Sequence, residues 1–323
     1  MILVTGGAGY IGSHTVKMLL EKNFDVVIAD NLSRGHIEAI PQGIPFEKVD
    51  LLDYPNLLKS VKKYKIDAVI HFAAFTYVGE SVENPEMYYR NNVTGSFNLA
   101  NAVNEAGIKK FVFSSTCSIY GNPERVPISE NQPSNPINPY AKTKLMIEDI
   151  LDDYDTAYGI KHIALRYFNA SGCSDDSSIG ESHDPEPHLI PLIIYTAQGT
   201  KEKISIYGDD YDTPDGTCIR DYIHVNDLAD AHIRALDYMD KTGKSDVINV
   251  GTGNGYSVKE MIDAAKRITQ KEIKSEIVPR RAGDPARLVA DNTKAKNVLG
   301  WTPKYDLDGI ITTAWNWYQN RKF

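Results

Sequence analysis

Short apolar runs alternate with stretches in which apolar residues recur every three or four positions, from the first residue to about residue 167. Met1-Ile2-Leu3-Val4-Thr5 predicts a strand. Gly6-Gly7-Ala8-Gly9-Tyr10-Ile11-Gly12 follows at once as a tight turn, and residues 13–21 continue as an amphipathic helix with Ile11, Val16, Leu19 and Leu20 on one side. Further strands are predicted at 25–30, 45–49, 67–71, 109–114 and 161–167, with helices over 85–105 and 139–158. Strands alternating with helices build a parallel sheet covered on both faces. The expected fold class is therefore α/β, a Rossmann-like doubly wound parallel sheet with a smaller α/β C-terminal substrate domain.

After Asn169 the composition shifts to Ser, Asp, Gly and Pro, which places a boundary between a nucleotide-binding domain, 1–170, and a second unit, 171–323. That second unit predicts strands at 203–207 and 246–250 and helices near 189–198, 226–240, 257–268 and 307–320. Parts of 220–255 are candidates to rejoin the main sheet. There is no internal repeat or low-complexity linker.

The glycines have separate tasks: Gly6 for the turn, Gly9 so that backbone N–H groups approach a pyrophosphate, Gly12 for close helix packing. Asp30 ends the next strand 30 − 12 = 18 residues past the last glycine, where a carboxylate meets the adenosine ribose hydroxyls. An acid there favours NAD over NADP, with Arg34 tempering the preference. Asp50-Leu51 is placed to hold the adenine by one hydrogen bond and one apolar contact.

A chemical role is suggested by Tyr140-Ala141-Lys142-Thr143-Lys144. A phenol with a pKa of about 10 is a poor base at neutral pH, and a lysine four residues on along the same helical face lowers that value electrostatically. Tyr318 and Lys322 repeat the spacing without a nucleotide loop before them, so context carries the signal. The 109–114 strand delivers Ser114-Ser115-Thr116 at its carboxyl end, and Thr116 can face Tyr140 across the cleft. The set points to reversible hydride chemistry at an alcohol carbon.

Composition narrows the partners. A chain of 323 residues, 42% hydrophobic, with a formal net charge of −8 has no broad electrostatic footprint for nucleic acid or an anionic membrane. Cys117, Cys173 and Cys218 are odd in number and lack metal spacing, so free thiols in a reducing compartment are expected. With a strand starting at residue 2 and no membrane-length apolar run, the protein is expected in the cytoplasm.

Three tempting groups have plainer readings. His183, Asp184, Glu186 and His188 sit in a Pro-broken loop, so no metal is expected there. The stretch 210–216 has a proline at a ligand position for calcium and a misplaced glycine. Gly251-Thr252-Gly253-Asn254-Gly255 mimics a phosphate cradle, but Ser257 and Glu260 make it the entry to a capped helix.

Ten segments in order carry a resemblance. They are 6–14 (Gly6 to His14), Asp30-Asn31-Leu32, His71-Phe72-Ala73-Ala74, Val78-Gly79-Glu80-Ser81-Val82, Asn91-Asn92-Val93, Asn138-Pro139-Tyr140, Leu165-Arg166-Tyr167-Phe168-Asn169, 207–211, 220–225 and 279–284. Over essentially its whole length the chain resembles the extended short-chain dehydrogenases/reductases and, within them, the UDP-galactose 4-epimerase family. The resemblance implies tightly bound NAD and interconversion of UDP-galactose and UDP-glucose. Tyr140 removes the sugar 4-hydroxyl proton while C4 passes hydride to the nicotinamide. The transient 4-keto sugar swings, and hydride returns to its opposite face.

Carried over residue by residue, the resemblance assigns NAD to Gly6, Gly9, Tyr10, Ile11, Gly12, Asp30, Asn31, Asp50, Leu51, Phe72, Ala73, Ala74, Asn91, Ser114, Tyr140, Lys144 and Tyr167. It assigns catalysis to Thr116, Tyr140 and Lys144, and the UDP-sugar to Thr116, Asn169, Leu189, Tyr207, Arg220, Arg281, Asp284 and Leu288. Sugar-nucleotide dehydratases of similar sequence carry an acidic pair where this chain has Cys117 and Ser118, and a decarboxylase would show an acid near Ile119-Tyr120-Gly121. Two departures are noted. Some members have lysine at the position of Thr76, near the cofactor phosphates. Some hexose-restricted members have tyrosine in place of Leu288, which leaves UDP-N-acetylglucosamine as an alternative substrate, beside a UDP-uronic acid or pentose and, more remotely, a non-catalytic NAD-binding scaffold. The resemblance also implies a homodimer paired through the 85–105 and 139–158 helices.

Overall fold

The computed structural model describes residues 1–281 and 284–323; Ala282 and Gly283 of the 279–284 segment lie outside them. Six strands come first: β1 (Ile2–Thr5), β2 (Val26–Asp30), β3 (Phe46–Lys48), β4 (Ala68–His71), β5 (Lys110–Ser114) and β6 (Lys161–Tyr167). Short strands β7 (Asn169–Ser171), β8 (Ile204–Tyr207), β9 (Ile219–Arg220) and β10 (Tyr222–His224) precede β11 (Asp246–Val250). The last are β12 (Tyr256–Ser257), β13 (Ser275–Val278) and β14 (Arg287–Leu288).

The central sheet runs β11-β6-β5-β4-β1-β2-β3, every neighbouring pair parallel. Every residue of β1, β2 and β4 is buried, which is why these strands read as unbroken apolar runs: a parallel sheet has helices on both faces. On one face Val16 and Leu19 of the Tyr10–Glu21 helix pack with Leu228 and Leu236 of the Val225–Thr242 helix. On the other, Leu57, Leu99, Val103, Ile147 and Leu151 form the second core. A third core, around Ile193, Met261, Ile310 and Trp317, belongs to the C-terminal region.

The helix that carries Tyr140 starts and stops where its sequence directs. Asn138 accepts from the Ala141 N–H at 2.8 Å, Pro139 takes the first position, and Gly159 ends it in the left-handed region at φ 66°. The helix predicted over 85–105 is less regular: Pro85–Tyr88 and Gly95–Glu105 are α-helical, and Tyr89–Thr94 between them is a π-helical segment. Buried Asn92 in that segment takes the N–H of Phe75 at 2.8 Å, donates to its carbonyl at 3.0 Å, and reaches Thr143 at 3.1 Å. The widened turn thus clamps the loop after β4 against the Tyr140 helix. Among the described residues no helix is long and apolar enough to cross a membrane, and all three cysteines are free thiols.

Candidate active site

In the sheet β1 lies between β2 and β4, so the chain order reverses there and a crevice opens at the carboxyl ends of the strands. The glycine loop occupies that point. Gly6 sits at φ +73°, and a Cβ on it would come within 2.5 Å of the Ala73 nitrogen. A Cβ on Gly12 would lie 2.1 Å from the Gly6 carbonyl oxygen. Gly9 caps the Tyr10–Glu21 helix with no side chain, which leaves the first helical N–H groups and the positive end of the helix dipole for an anion.

A cleft opens beside this loop. It is lined by Gly6, Gly9, Asp30, Asn31, Asp50, Leu51, Phe72, Ala73, Ala74 and Asn91. Ser33, Arg34, Gly35, Val49 and Phe75 also line it; Arg34 aside, no sequence motif marks them. Asp30 accepts from Ala8 N–H at 3.0 Å and Leu32 N–H at 2.8 Å; burial raises its pKa, with those two donors opposing the rise. Asn31 donates to Asp50 at 3.0 Å, linking the ends of β2 and β3. Tyr10 and Ile11 turn their side chains away from the cleft. The Tyr10 phenol donates to the Gly172 carbonyl at 2.5 Å and Ile11 packs on the core, so what they offer an anion is backbone N–H. An uncapped helix start, a side-chain-free loop and a carboxylate at the end of β2 together fit a dinucleotide.

Thr116, Tyr140 and Lys144 are all buried at the ends of β5 and β6, next to that crevice. Lys144 Nζ donates to the Ser114 carbonyl at 2.7 Å and lies 4.9 Å from the Phe113 ring centroid. Burial drives its pKa down to about 7, with Glu148 pulling the other way. Tyr140 differs from expectation. Burial raises its pKa well above the usual value and Tyr167 adds to the rise; a hydrogen bond with Thr116 works against it, and Lys144 makes no contribution. The four-residue spacing puts both groups on one helical face, but with its pKa near 7 the Lys144 amine is already neutral at the high pH where the raised phenol ionises, so it brings no charge to bear. In the chain alone both groups favour their neutral forms.

The surrounding groups brace this set. Ser114 and Tyr167 share a hydroxyl–hydroxyl hydrogen bond. Ser115 donates to Glu148, whose carboxylate is gripped by Arg166 from Nε at 3.0 Å and Nη2 at 2.5 Å. Arg166 also donates to the Tyr120 hydroxyl at 3.0 Å, and Tyr120 to Asn249 on β11 at 2.8 Å. Sequence reasoning passed over Glu148, Arg166 and Tyr120 as site residues; a Glu four residues after Lys144 was the available signal.

The carried-over sugar-nucleotide residues fall into three places. Tyr207, Arg220, Arg281, Asp284 and Leu288 form one patch: Arg281 stacks 3.9 Å over the Tyr207 ring, Arg220 pairs with Asp284, and Leu288 is opposite Arg220 in the β9–β14 ladder. Arg220 acts electrostatically on buried Cys117, one residue past Thr116, which brings this patch toward the catalytic set. Asn169 opens β7 and donates to the Asp221 carbonyl at 3.0 Å. Leu189 starts the Leu189–Gln198 helix, after a loop that gathers Glu181, His183, Glu186 and His188, whereas Asp184 stays outside the group. Within it the two histidines and two glutamates set one another's charge: burial lowers the His183 and His188 pKa values, but the carboxylates outweigh it and raise both, His188 to about 10.

The mimics resolve simply. Asp221 accepts from Thr252 N–H at 2.9 Å and Gly253 N–H at 3.0 Å, so the 251–255 turn spends its donors internally. Ser257 and Glu260 close a reciprocal capping box. In the 210–216 stretch Asp210 is drawn to Arg280 at 2.5 Å and Asp215 to Thr217 at 2.8 Å, so the carboxylates diverge.

Comparison with known proteins agrees with this geometry. The family model for GDP-mannose 4,6 dehydratase matches residues 3–314. The UDP-glucose 4-epimerase of Lacticaseibacillus casei is 51% identical over 320 residues, covering 99% of this chain and 97% of its own. That of Lactobacillus helveticus is 52% identical over 320 residues with the same coverage, 99% and 97%. The crystal structure of UDP-glucose 4-epimerase from Brucella ovis in complex with NAD aligns with a TM-score of 0.95 at 49% identity, covering 98% of this chain and 97% of that one.

Proposed function

Since the chain belongs to the UDP-glucose 4-epimerase family of extended short-chain dehydrogenases/reductases, we propose that it interconverts UDP-galactose and UDP-glucose with NAD held in the cleft beside Gly6, Gly9 and Asp30. When bound, NAD supplies the hydride acceptor and returns the hydride. Thr116 orients the sugar 4-hydroxyl and passes its proton toward Tyr140, which takes it as the general base and later gives it back. Lys144, with a pKa near 7, stabilises the phenolate in its protonated form, which part of the population holds at neutral pH.

The remaining residues hold the nucleotide and leave the sugar free to turn. Residues 1–170 are read as the cofactor unit and 171–323 as the source of the substrate contacts, with Arg220 and Arg281 offsetting diphosphate charge, Tyr207 and Asp284 positioning them, and Asn169, Leu189 and Leu288 lining the nucleotide side. Cys117 and Ser118 offer no carboxylate for a second proton transfer, which favours epimerisation over dehydration within a family whose model is named for a dehydratase. The named relatives favour the glucose/galactose pair over N-acetylhexosamine, uronic acid or pentose substrates and over a silent scaffold.

The observation that carries the reading is the burial of Thr116, Tyr140 and Lys144 together by the end of β5, on the same carboxyl edge of the sheet as the cleft lined by Gly6, Gly9 and Asp30. Incubating the purified protein with UDP-galactose and no added cofactor, followed by chromatography, is expected to give UDP-glucose over many turnovers. Failure to do so even with NAD added overturns the proposal. A homodimer is supported by Phe97 and Met146, apolar side chains exposed on the Gly95–Glu105 and Pro139–Tyr158 helices; light scattering is expected to give twice the chain mass. Three free thiols support a cytoplasmic location.

A further inference from the structure

Glu181, His183, Glu186 and His188 converge where no step of the epimerase reaction uses them. Each offers one ligand atom, and the four atoms lie within 4.8 Å of one another. His183 Nδ1 is 3.3 Å from a Glu181 carboxylate oxygen and 3.4 Å from a Glu186 oxygen. His188 Nδ1 is 2.8 Å from an oxygen of each glutamate. A tetrahedral ion with ligands at about 2.1 Å requires edges of about 3.4 Å between them. The His183 edges already have that length, and the His188 edges need to open by roughly half an ångström on the same basis.

Two atoms of the group are left over without an ion. His183 Nδ1 and Glu186 Oε2 are shut off from solvent and stand 3.4 Å apart, within ion-pair reach but without a hydrogen bond between them or to another group. A buried carboxylate oxygen and a buried imidazole nitrogen held only by long ion-pair contacts are poorly satisfied, and a shared cation satisfies both. A divalent ion would displace the protons that the carboxylates otherwise hold on the two histidines, and two carboxylates then balance it with both imidazoles neutral.

The backbone that presents these side chains is fixed from outside. The Glu181 carbonyl accepts from Trp317 Nε1 at 2.9 Å and from the Tyr318 hydroxyl at 3.0 Å. The Ser182 carbonyl meets His36 Nε2 at 3.0 Å. Tyr10 and Tyr77 set ring edges against His183 at centroid distances of 6.3 and 5.8 Å, which forms an aromatic wall around the group. Ligands held on a braced loop within an apolar wall are the arrangement that a bound metal needs.

We propose that Glu181, His183, Glu186 and His188 bind one divalent transition-metal ion, with zinc the best match to two imidazoles and two carboxylates. Four protein ligands leave no open position, so the ion is structural. It fastens the loop that leads into Leu189 to the wall formed by Tyr10, at the start of the helix that follows the glycine loop, and thereby connects the C-terminal region to the cofactor side.

The test uses the full-length protein stripped with EDTA and desalted, then equilibrated with zinc chloride or cobalt chloride and freed of unbound metal by gel filtration. The expected results are about one zinc per chain by elemental analysis, and with cobalt a visible absorption band of tetrahedral intensity that an equivalent of zinc bleaches. A His183→Gln/Glu186→Gln variant, shown to be folded by circular dichroism, is expected to retain less than a tenth of the wild-type zinc. Equal zinc retention by variant and wild type overturns the site, as does failure of the wild type to hold zinc. If the variant does not fold, the wild-type cobalt spectrum decides alone: the bleachable tetrahedral band supports the site, and its absence overturns it.

Discussion

Lys144 donates its Nζ to the main-chain carbonyl of Ser114 at 2.7 Å, so the lysine that accompanies Tyr140 is anchored to the end of β5. Burial there lowers its pKa from 10.5 to about 7. A cation depressed in this way binds fewer protons in the folded chain than in the unfolded one between about pH 7 and 10.5. Its contribution therefore opposes folding below pH 7 and fades as pH rises toward 10.5. Denaturant unfolding of matched cofactor-free samples should show wild-type stability rising from pH 7 to 10 relative to Lys144→Met. A constant difference between the two curves would remove the buried-cation argument.

Removing the phenol separates chemistry from binding. Tyr140→Phe keeps the ring in its pocket and is expected to lower kcat by about 10²- to 10⁴-fold, the range of general acid–base catalysis, with NAD content unchanged. Thr116→Val deletes one hydrogen bond to a group that becomes charged, worth about 1.5–3 kcal/mol, and should lower kcat by roughly 10- to 150-fold. Steady-state kinetics with both UDP-hexoses, alongside cofactor absorbance, check the pair. A Tyr140→Phe enzyme with near wild-type kcat would take the base role away from this residue.

The sequence revealed what depends on local pattern. The glycine loop was legible because each glycine meets a backbone constraint within a few residues or at the adjoining strand, and the Asn138-Pro139 start of the catalytic helix because capping is local. What stayed hidden depends on distance or on competition. The Arg220–Asp284 pair spans 64 residues, and no periodicity marks it. The lowered pKa of Lys144 comes from burial against the end of β5, which spacing within one helix does not show. Glu181 was missed because its ligand partners lie across a proline-broken stretch in which Asp184 looked equally suitable. The Tyr54–Lys63 helix escaped notice because it buries only Leu57 and Val61 in an otherwise polar segment.

Arg220 is expected to act on binding more than on the chemical step. Its guanidinium is largely buried, pairs with Asp284, and faces the region where a diphosphate would bring charge. Arg220→Met should raise KM for UDP-galactose by about 10- to 150-fold, the span of a charge-assisted hydrogen bond, while kcat changes little. Burial pushes the Cys117 thiol up to about 12 and Arg220 opposes that rise, so the variant thiol should ionise at still higher pH and react more slowly with a neutral alkylating agent at pH 9. A fall in kcat with unchanged KM would place Arg220 in the transition state instead.

The Glu148–Arg166 pair behind the active site should be worth more intact than its parts. Both side chains are nearly sealed from solvent, at 4% and 9% exposure, and the pair links the Tyr140 helix to β6 and, through Tyr120 and Asn249, to β11. Glu148→Gln strands a buried guanidinium, an effect of about 3–5 kcal/mol, whereas replacing both partners with apolar residues removes the uncompensated charge along with the attraction. The double variant Glu148→Leu/Arg166→Met is therefore expected to unfold at a higher denaturant concentration than either single change, with a coupling energy of roughly 1–3 kcal/mol in the cycle. Because Ser115 donates to the same carboxylate and stands next to Thr116, the single variants should also lose activity beyond their loss of stability. Additive destabilisation in the cycle would mean that the pair contributes no more than two independent packing contacts.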